Sequence, residues 1–289
     1  MENTQRRTWI ITGASAGLGR ALAQEVIARG DALLAVARRA ERLADLVEQN
    51  PGSVRTVAAD VRDTERAPEL IEAAVAAFGR VDVLVNNAGR AHVGAAEEIG
   101  ETDLREMLDL HLHGPAALVR AVLPTMRAQG GGTVVQLSSQ GGRLAFPGTS
   151  AYSAGKFALE GWSEALAAEV AAFGVRVMIV EPSRFRTDFN AAGVLTFAPT
   201  HAGYEAVVGP VRSDLAGADG VQEGDPGAAA RIVFDIVAGS DVPLRLPLGA
   251  EAVQRIGAAY RRDLAGIDRW RDVAVSADFA GAVAASRPI

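Results

Sequence analysis

The chain has 289 residues, 49% hydrophobic and 22% charged, which is ample for a large buried core. Its net charge of −6 argues against nucleic acid or an anionic membrane surface as the main partner. There is no cysteine, which excludes disulfides, thiolate metal sites and cysteine nucleophiles, and four scattered histidines give no reason to expect a metal. Residues 1–7 are polar, and no apolar run approaches the length of a membrane span, so a cytoplasmic protein is expected.

In chain order, Trp9, Ile10 and Ile11 are a short apolar run, expected as a buried strand. Gly13, Gly17 and Gly19 follow directly, with Ser15 and Leu18 between them, and residues 18–29 have helical spacing. Glycines between a strand and a helix start suit a dinucleotide. The first allows a tight turn, the second lets the backbone approach a pyrophosphate, and the third lets helix and strand pack closely. A flexible loop is the alternative. Residues 31–37 are expected as the second strand. At its end, where an acid would bind the ribose of NAD, Ala37 is followed by Arg38 and Arg39. No carboxylate repels a 2′-phosphate there and a guanidinium is present to bind one, which favours NADP(H). The alternative for Arg38 is an ordinary solvated charge leading the next helix.

Residues 54–58 are expected as a third strand leading to Asp60 and Val61. Asp60 either accepts from an adenine amino group or caps the helix expected over 64–78. The fourth strand, 81–85, runs into Asn86, Asn87, Ala88 and Gly89, which either tie strands together beneath a ligand or form a plain turn. Residues 101–127 are expected as a long helix interrupted around Gly114 and Pro115, with His111 in its middle. A fifth strand, 133–137, ends at Ser138 and Ser139, and a sixth, 175–180, precedes Pro182. Strands and helices alternate, so the sheet is expected to be parallel with helices on both faces. The glycine turn, Asp60, Asn87, Ser139 and Pro182 all fall at strand carboxyl ends, where such sheets bind ligands.

Residues 183–224 show no clear period and carry Phe185, Phe189, Phe197 and Tyr204, which is expected of a substrate lid. Asp225 and Pro226 open a helix to residue 238, residues 243–248 are a last strand, and 249–267 have helical spacing. The chain is expected to be one domain over 1–289, with 183–224 inserted as the lid and 225–289 supplying C-terminal helices and the last strand. Within a helix expected over 150–173, Tyr152 and Lys156 share one face. A tyrosine ordinarily titrates near 10. An adjacent ammonium favours the phenolate, which would make the phenol a proton donor and acceptor near neutral pH. Many exposed helices carry such a pair with no function.

Gly13, Gly17 and Gly19 after Thr12, the run Asn86–Gly89, Ser138 with Ser139, and Tyr152 with Lys156 occur together in the order of the short-chain dehydrogenase/reductase family. The chain resembles that family over roughly residues 7–190. The resemblance implies a Rossmann-type, doubly wound, mainly parallel seven-stranded sheet. It also implies an NADP(H)-dependent oxidoreductase that interconverts a ketone or aldehyde and an alcohol; an NADP(H)-binding regulatory protein without turnover is the rival. Carried over, Tyr152 is the general acid/base, Lys156 tunes it and holds the nicotinamide ribose, and Ser139 binds the substrate oxygen. Gly13, Ser15, Gly17, Leu18, Gly19, Arg38, Arg39, Asp60, Val61, Asn87, Ala88, Gly89, Pro182 and Thr187 would line the cofactor. His111 stands where many members have an asparagine whose main-chain carbonyl binds a water that contacts the lysine; the imidazole either joins that proton path as a catalytic group or packs the helix, and Ser183 follows Pro182 where a glycine is frequent. The aromatic residues of the lid, with Phe146 and Pro147, hint at a bulky apolar substrate. The helices starting at Glu101 and Ser150 resemble those of the family's subunit interface, implying a homodimer or homotetramer.

Overall fold

The structure, a computed structural model, describes residues 6–279 and 281–283. Strand and helix alternate from the start: β1 (Thr8–Thr12), α1 (Gly17–Ala28), β2 (Ala32–Ala37), a short α2 (Ala44–Gln49), β3 (Val54–Ala58), α3 (Ala67–Phe78) and β4 (Val83–Asn86). Then come β5 (Ala91–Val93), α4 (Glu101–Leu108), α5 (Gly114–Gln129), β6 (Gly132–Leu137), α6 (Ser150–Val170) and β7 (Val175–Pro182). The chain closes with β8 (Leu195–Phe197), α7 (Glu205–Gly217), α8 (Pro226–Ala238), β9 (Arg245–Leu248) and α9 (Ala250–Val275).

Seven of the strands form one parallel sheet in the order β3-β2-β1-β4-β6-β7-β9. This is a Rossmann-type, doubly wound sheet. Successive residues of a strand face opposite layers. Trp9, Ile11, Leu33, Ala35, Val83 and Val85 pack in the layer of α1 and α8, while Ile10, Leu34, Val36, Leu84 and Val134 pack in that of α3, α5 and α6. Both faces are covered, so β1 and β2 are buried at every position rather than at alternate ones. Burial of each such large side chain contributes about 1.5–3 kcal/mol. The strand order reverses between β1 and β4, and that reversal opens a crevice at their carboxyl ends.

Three features depart from the expected elements. The irregularity in the helix after residue 101 lies at Asp109–His113, which winds as one π turn, rather than at Gly114 and Pro115. Pro115 follows that turn within a helix that runs on unbroken, where its missing N–H removes one bond from the ladder. Gly114 is where the helix crosses the Val61 carbonyl, to which a Cβ would come within 2.4 Å. Second, the segment 183–224 is not without regular structure. Its β8 pairs in parallel with β5, Ala91 opposite Leu195 and Val93 opposite Phe197, and α7 follows. Of α7 only Val208 is buried, so that helix carries no apolar stripe to read. Third, α9 runs on to Val275, and from Tyr260 onward it is exposed on every side. Among the described residues no helix is long and apolar enough to cross a membrane.

Candidate active site

The register places the ends of β1, β2 and β4 side by side, Ile11 standing opposite both Ala35 and Val85. Thr12 stitches the first and last of these ends together. Its Oγ1 accepts from the backbone N–H groups of Asn87 (3.0 Å) and Ala88 (3.1 Å) and donates to the Val85 carbonyl (3.2 Å). The Asn87 side-chain amide donates back to the Thr12 carbonyl at 2.9 Å. Gly13 and Gly17 hold φ of +67° and +55°, the left-handed region that other residues avoid. Gly19 lies against Asn87, where a Cβ would fall 2.3 Å from the amide nitrogen. The helix that begins here, α1, has no side-chain cap and no acidic residue in its first turn. Its first N–H groups are therefore left for an anion at the mouth of the crevice. Ser15 and Leu18 are partly exposed at this turn, and Thr187 of the lid closes over Gly17. These features fit the pyrophosphate of a dinucleotide.

On the adenosine side the geometry is looser. Arg38 and Arg39 are both exposed just past β2. Asp60 is engaged by Arg62, which donates from its Nη2 at 2.7 Å and its backbone N–H at 3.0 Å. The Arg62 guanidinium holds the Asp60 carboxyl below the usual range, with Arg38 adding to the effect. Val61 and Pro182 are buried, while Ala88 is partly and Gly89 fully exposed along the crevice.

The reacting groups converge on the other side of the crevice. Ser139 opens the short turn that follows β6, and its Oγ accepts from the Gly141 N–H at 3.0 Å. Tyr152 and Lys156 project from the first two turns of α6. The Lys156 ammonium donates to the Leu137 carbonyl at 2.6 Å and stands 5.9 Å from the centre of the Tyr152 ring. Burial pulls the Lys156 pKa down to about 7, with Glu160 opposing the shift. Burial pushes Tyr152 up to about 12, while its hydrogen bond with Ser139 pulls the other way. The expected lowering of the tyrosine by its neighbour is thus outweighed, because the ammonium is turned onto a carbonyl and the phenol is desolvated. In this state Tyr152 is a proton donor at neutral pH.

His111 sits in the π turn, 1% exposed, its ring edge-on to Tyr152 with centroids 5.3 Å apart. Burial and the Lys156 charge press its pKa well below the usual value, so the ring is neutral. Its Nε2 lies 2.9 Å from the Arg90 carbonyl, which can only accept. The proton is thereby assigned to Nε2, and Nδ1 keeps a lone pair that has no partner among the described residues. Of the aromatic residues expected in the lid, Phe189 alone meets Tyr152, at 6.2 Å. Phe185 packs in the α1–α8 layer, Phe197 is 40% exposed, Tyr204 donates to Glu97, and Phe146 lies beneath Arg255. The wall beside Tyr152 is built from Ala91, Val93, Leu195, Phe189 and Leu215.

The Leu137 and Arg90 carbonyls and the β5 side of this wall were not foreseen from sequence, since backbone acceptors and three-residue strands leave no pattern. One signal was available. Of the chain's 29 Lys and Arg residues, Lys156 alone is lysine. Arginine holds its charge against burial and cannot tune, whereas lysine shifts readily, so a lone lysine marks a place where an amine is needed. Among the described residues no cluster is placed to hold a metal ion.

Residues 7–194 match the family model described as short chain dehydrogenase. The chain is 37% identical over 272 residues to the oxidoreductase BOA17 of Botryotinia fuckeliana, covering 93% of this chain and 98% of that protein. It is 37% identical over 181 residues to the 3-ketodihydrosphingosine reductase of Bacteroides thetaiotaomicron, covering 63% of this chain and 65% of that one. A solved short-chain dehydrogenase from Streptomyces avermitilis superposes with a TM-score of 0.89 at 44% identity, covering 96% of this chain and 100% of its own.

Proposed function

Because this chain belongs to the short-chain dehydrogenase family of oxidoreductases, we propose that it interconverts a ketone or aldehyde and an alcohol with NADP(H). The observation that carries the reading is the convergence of Ser139, Tyr152 and Lys156 on one side of a crevice whose other side is the uncapped start of α1. When bound, the nicotinamide supplies or accepts the hydride. In the reducing direction Tyr152 gives its phenolic proton to the oxygen of the carbonyl as that oxygen gains charge. Ser139 lies beside it and orients the same oxygen with its hydroxyl. Lys156 binds the ribose and, when charged, favours the phenolate left behind. His111 holds the Tyr152 ring edge-on and so fixes its approach.

Support for NADP(H) over NAD(H) comes from Arg38, exposed just past β2, with Ala37 rather than an acid closing that strand. The apolar wall of Phe189, Leu195, Val93 and Leu215 supports a substrate with an apolar group next to the carbonyl. The name of the Bacteroides relative, a reductase of a ketone, points to the same reaction class. Phe157 on α6 is 45% exposed, which supports pairing of subunits through that helix as a homodimer or homotetramer. The test is NADPH consumption across ketones and aldehydes of graded size. Turnover of at least one apolar member is expected. NADPH binding without turnover on any member would instead favour a regulatory binding protein.

A further inference from the structure

A second titratable cluster lies on the α6 side of the sheet, directly behind Lys156, and the reaction above makes no use of it. Glu160 is one turn beyond Lys156 on α6 and 4% exposed; Glu181, at the end of β7, is 1% exposed. Both carboxyls face the same two guanidiniums. Glu160 Oε2 is 3.2 Å from Arg245 Nε of β9 and 3.5 Å from Arg143 Nη1, which follows the Ser139 turn. Glu181 Oε1 is 3.6 Å from Arg143 and 3.7 Å from Arg245. At the rim Arg245 also donates to Glu164 at 2.6 Å, and the Tyr260 ring of α9 covers Arg143 at 4.7 Å. The remaining groups facing Lys156 are Tyr152 on its own helix and the neutral His111 of the π turn.

The pairing is incomplete. Glu160 Oε1 has no partner among the described residues, and neither has Ser138 Oγ. Both atoms flank Gly142, where a Cβ would stand 3.3 Å from the first and 2.5 Å from the second. Ser138 is the chain neighbour of Leu137, whose carbonyl holds the Lys156 ammonium. Two buried carboxyls with long, shared ion pairs and an orphaned oxygen cost stability relative to an apolar core. They do, however, set a field on the amine. Burial drags Lys156 down to about 7, and Glu160 pulls it back up. Burial pushes Glu181 up to about 7, and the Glu160 charge and a hydrogen bond between the two carboxyls add to the shift.

We propose that Glu160 is a positioning residue for Lys156: its carboxylate, bracketed by Arg143 and Arg245, keeps the buried amine charged so that the amine can act on Tyr152. The effect on turnover rests on the roles assigned above to Lys156 and Tyr152; the charge coupling itself does not.

Because Lys156 is the only lysine, protein labelled with 13Cε-lysine gives a single lysine resonance whose pH titration reads its charge directly. Loss of one unit charge an i,i+4 helix spacing away lowers the midpoint by about one pH unit in Glu160→Gln. Glu181→Gln leaves the carboxylate one turn from Lys156 in place and lowers the midpoint by less than Glu160→Gln does. Arg143→Gln removes a cation that offsets the Glu160 carboxylate and so raises it. The alkaline limb of kcat/KM should move with the resonance in each variant. An unmoved midpoint in Glu160→Gln, or an equal fall in Glu181→Gln, overturns the proposal. If Glu160→Gln does not fold, the sign in Arg143→Gln decides: a rise supports the coupling and no change or a fall overturns it. The resonance is read without substrate, so a failure of the proposed activity is distinguishable from a failure of this coupling.

Discussion

Gly19→Ala sets helix propensity against packing, and the sign of its effect says which governs the phosphate turn. Gly19 lies inside α1, where replacing glycine by alanine ordinarily stabilises a helix by about 1 kcal/mol. Here the added methyl would stand 2.3 Å from the Asn87 amide nitrogen and 2.5 Å from the Gly13 carbonyl oxygen. Ordinary contact is about 3.5 Å, so both neighbours must yield by about an ångström. Overpacking of that kind costs about 1–3 kcal/mol. Pushing the amide away also breaks its 2.9 Å hydrogen bond to the Thr12 carbonyl, a further loss of about 1 kcal/mol. The packing costs outweigh the propensity gain, leaving a net loss of about 2 kcal/mol, equivalent to a fall in Tm of roughly 4–8 °C for a domain of this size. The displaced Asn87 would also open the link between β1 and β4, and NADPH affinity should fall at least tenfold, or about 1.4 kcal/mol. Thermal unfolding followed by circular dichroism and NADPH titration by fluorescence measure both effects. A Tm equal to or above that of the wild type, with unchanged affinity, would refute the close-approach argument.

The buried acid Glu181 predicts a pH dependence of stability. Its folded pKa is raised from 4.5 to about 7, so the native state holds a proton that the unfolded chain loses across that window. Stability is present in full below pH 4.5 and lost as pH rises through 7, by roughly 2–3 kcal/mol from this group. Urea denaturation at pH 5 and pH 8 should show this slope in the wild type and a flatter one in Glu181→Gln; equal slopes would count against it. Arg38→Ala should weaken NADPH binding about tenfold while sparing NADH, a selectivity that isothermal titration resolves. Equal loss for both cofactors would remove the 2′-phosphate assignment. Phe189→Ala should raise KM for an apolar ketone more than it lowers kcat, and an unchanged KM would place the substrate elsewhere. Glu98 accepts from Arg212, the His201 N–H and the Ala95 N–H, tying α7 and the chain before it to the sheet. Glu98→Ala should speed proteolysis within 198–212, and a wild-type cleavage rate would show that this latch does not hold the lid.

The central strands were legible because they hold continuous apolar runs bounded by turn residues, as in Trp9 to Ile11 or Val83 to Val85, and a sheet covered on both faces demands that pattern. The site residues at their carboxyl ends were legible for a related reason: strands in alternation with helices must be parallel, and all end at one edge. What escaped notice lacks periodicity. β5 and β8 are three residues each and pair with one another outside the seven-stranded sheet. The π turn at Asp109–His113 leaves no mark in a helical pattern, and α7 buries a single side chain. Charge states escaped for a different reason. The spacing of Tyr152 and Lys156 showed that they share a face, but the direction of the tyrosine shift depends on where the ammonium points and how dry the phenol is. The burial of Glu160 and Glu181 is not legible either, because nothing in a sequence marks a carboxyl as buried until its helix and strand are packed together.

The account stands on Tyr152 as the group that gives and takes the substrate's proton. Tyr152→Phe removes the phenolic oxygen while keeping the ring against His111 and Phe189. On a ketone that the wild type reduces, this variant should bind NADPH with wild-type affinity and lose at least a hundredfold in kcat, as expected for removal of a positioned general acid. A variant that binds NADPH and turns over at the wild-type rate would contradict the account.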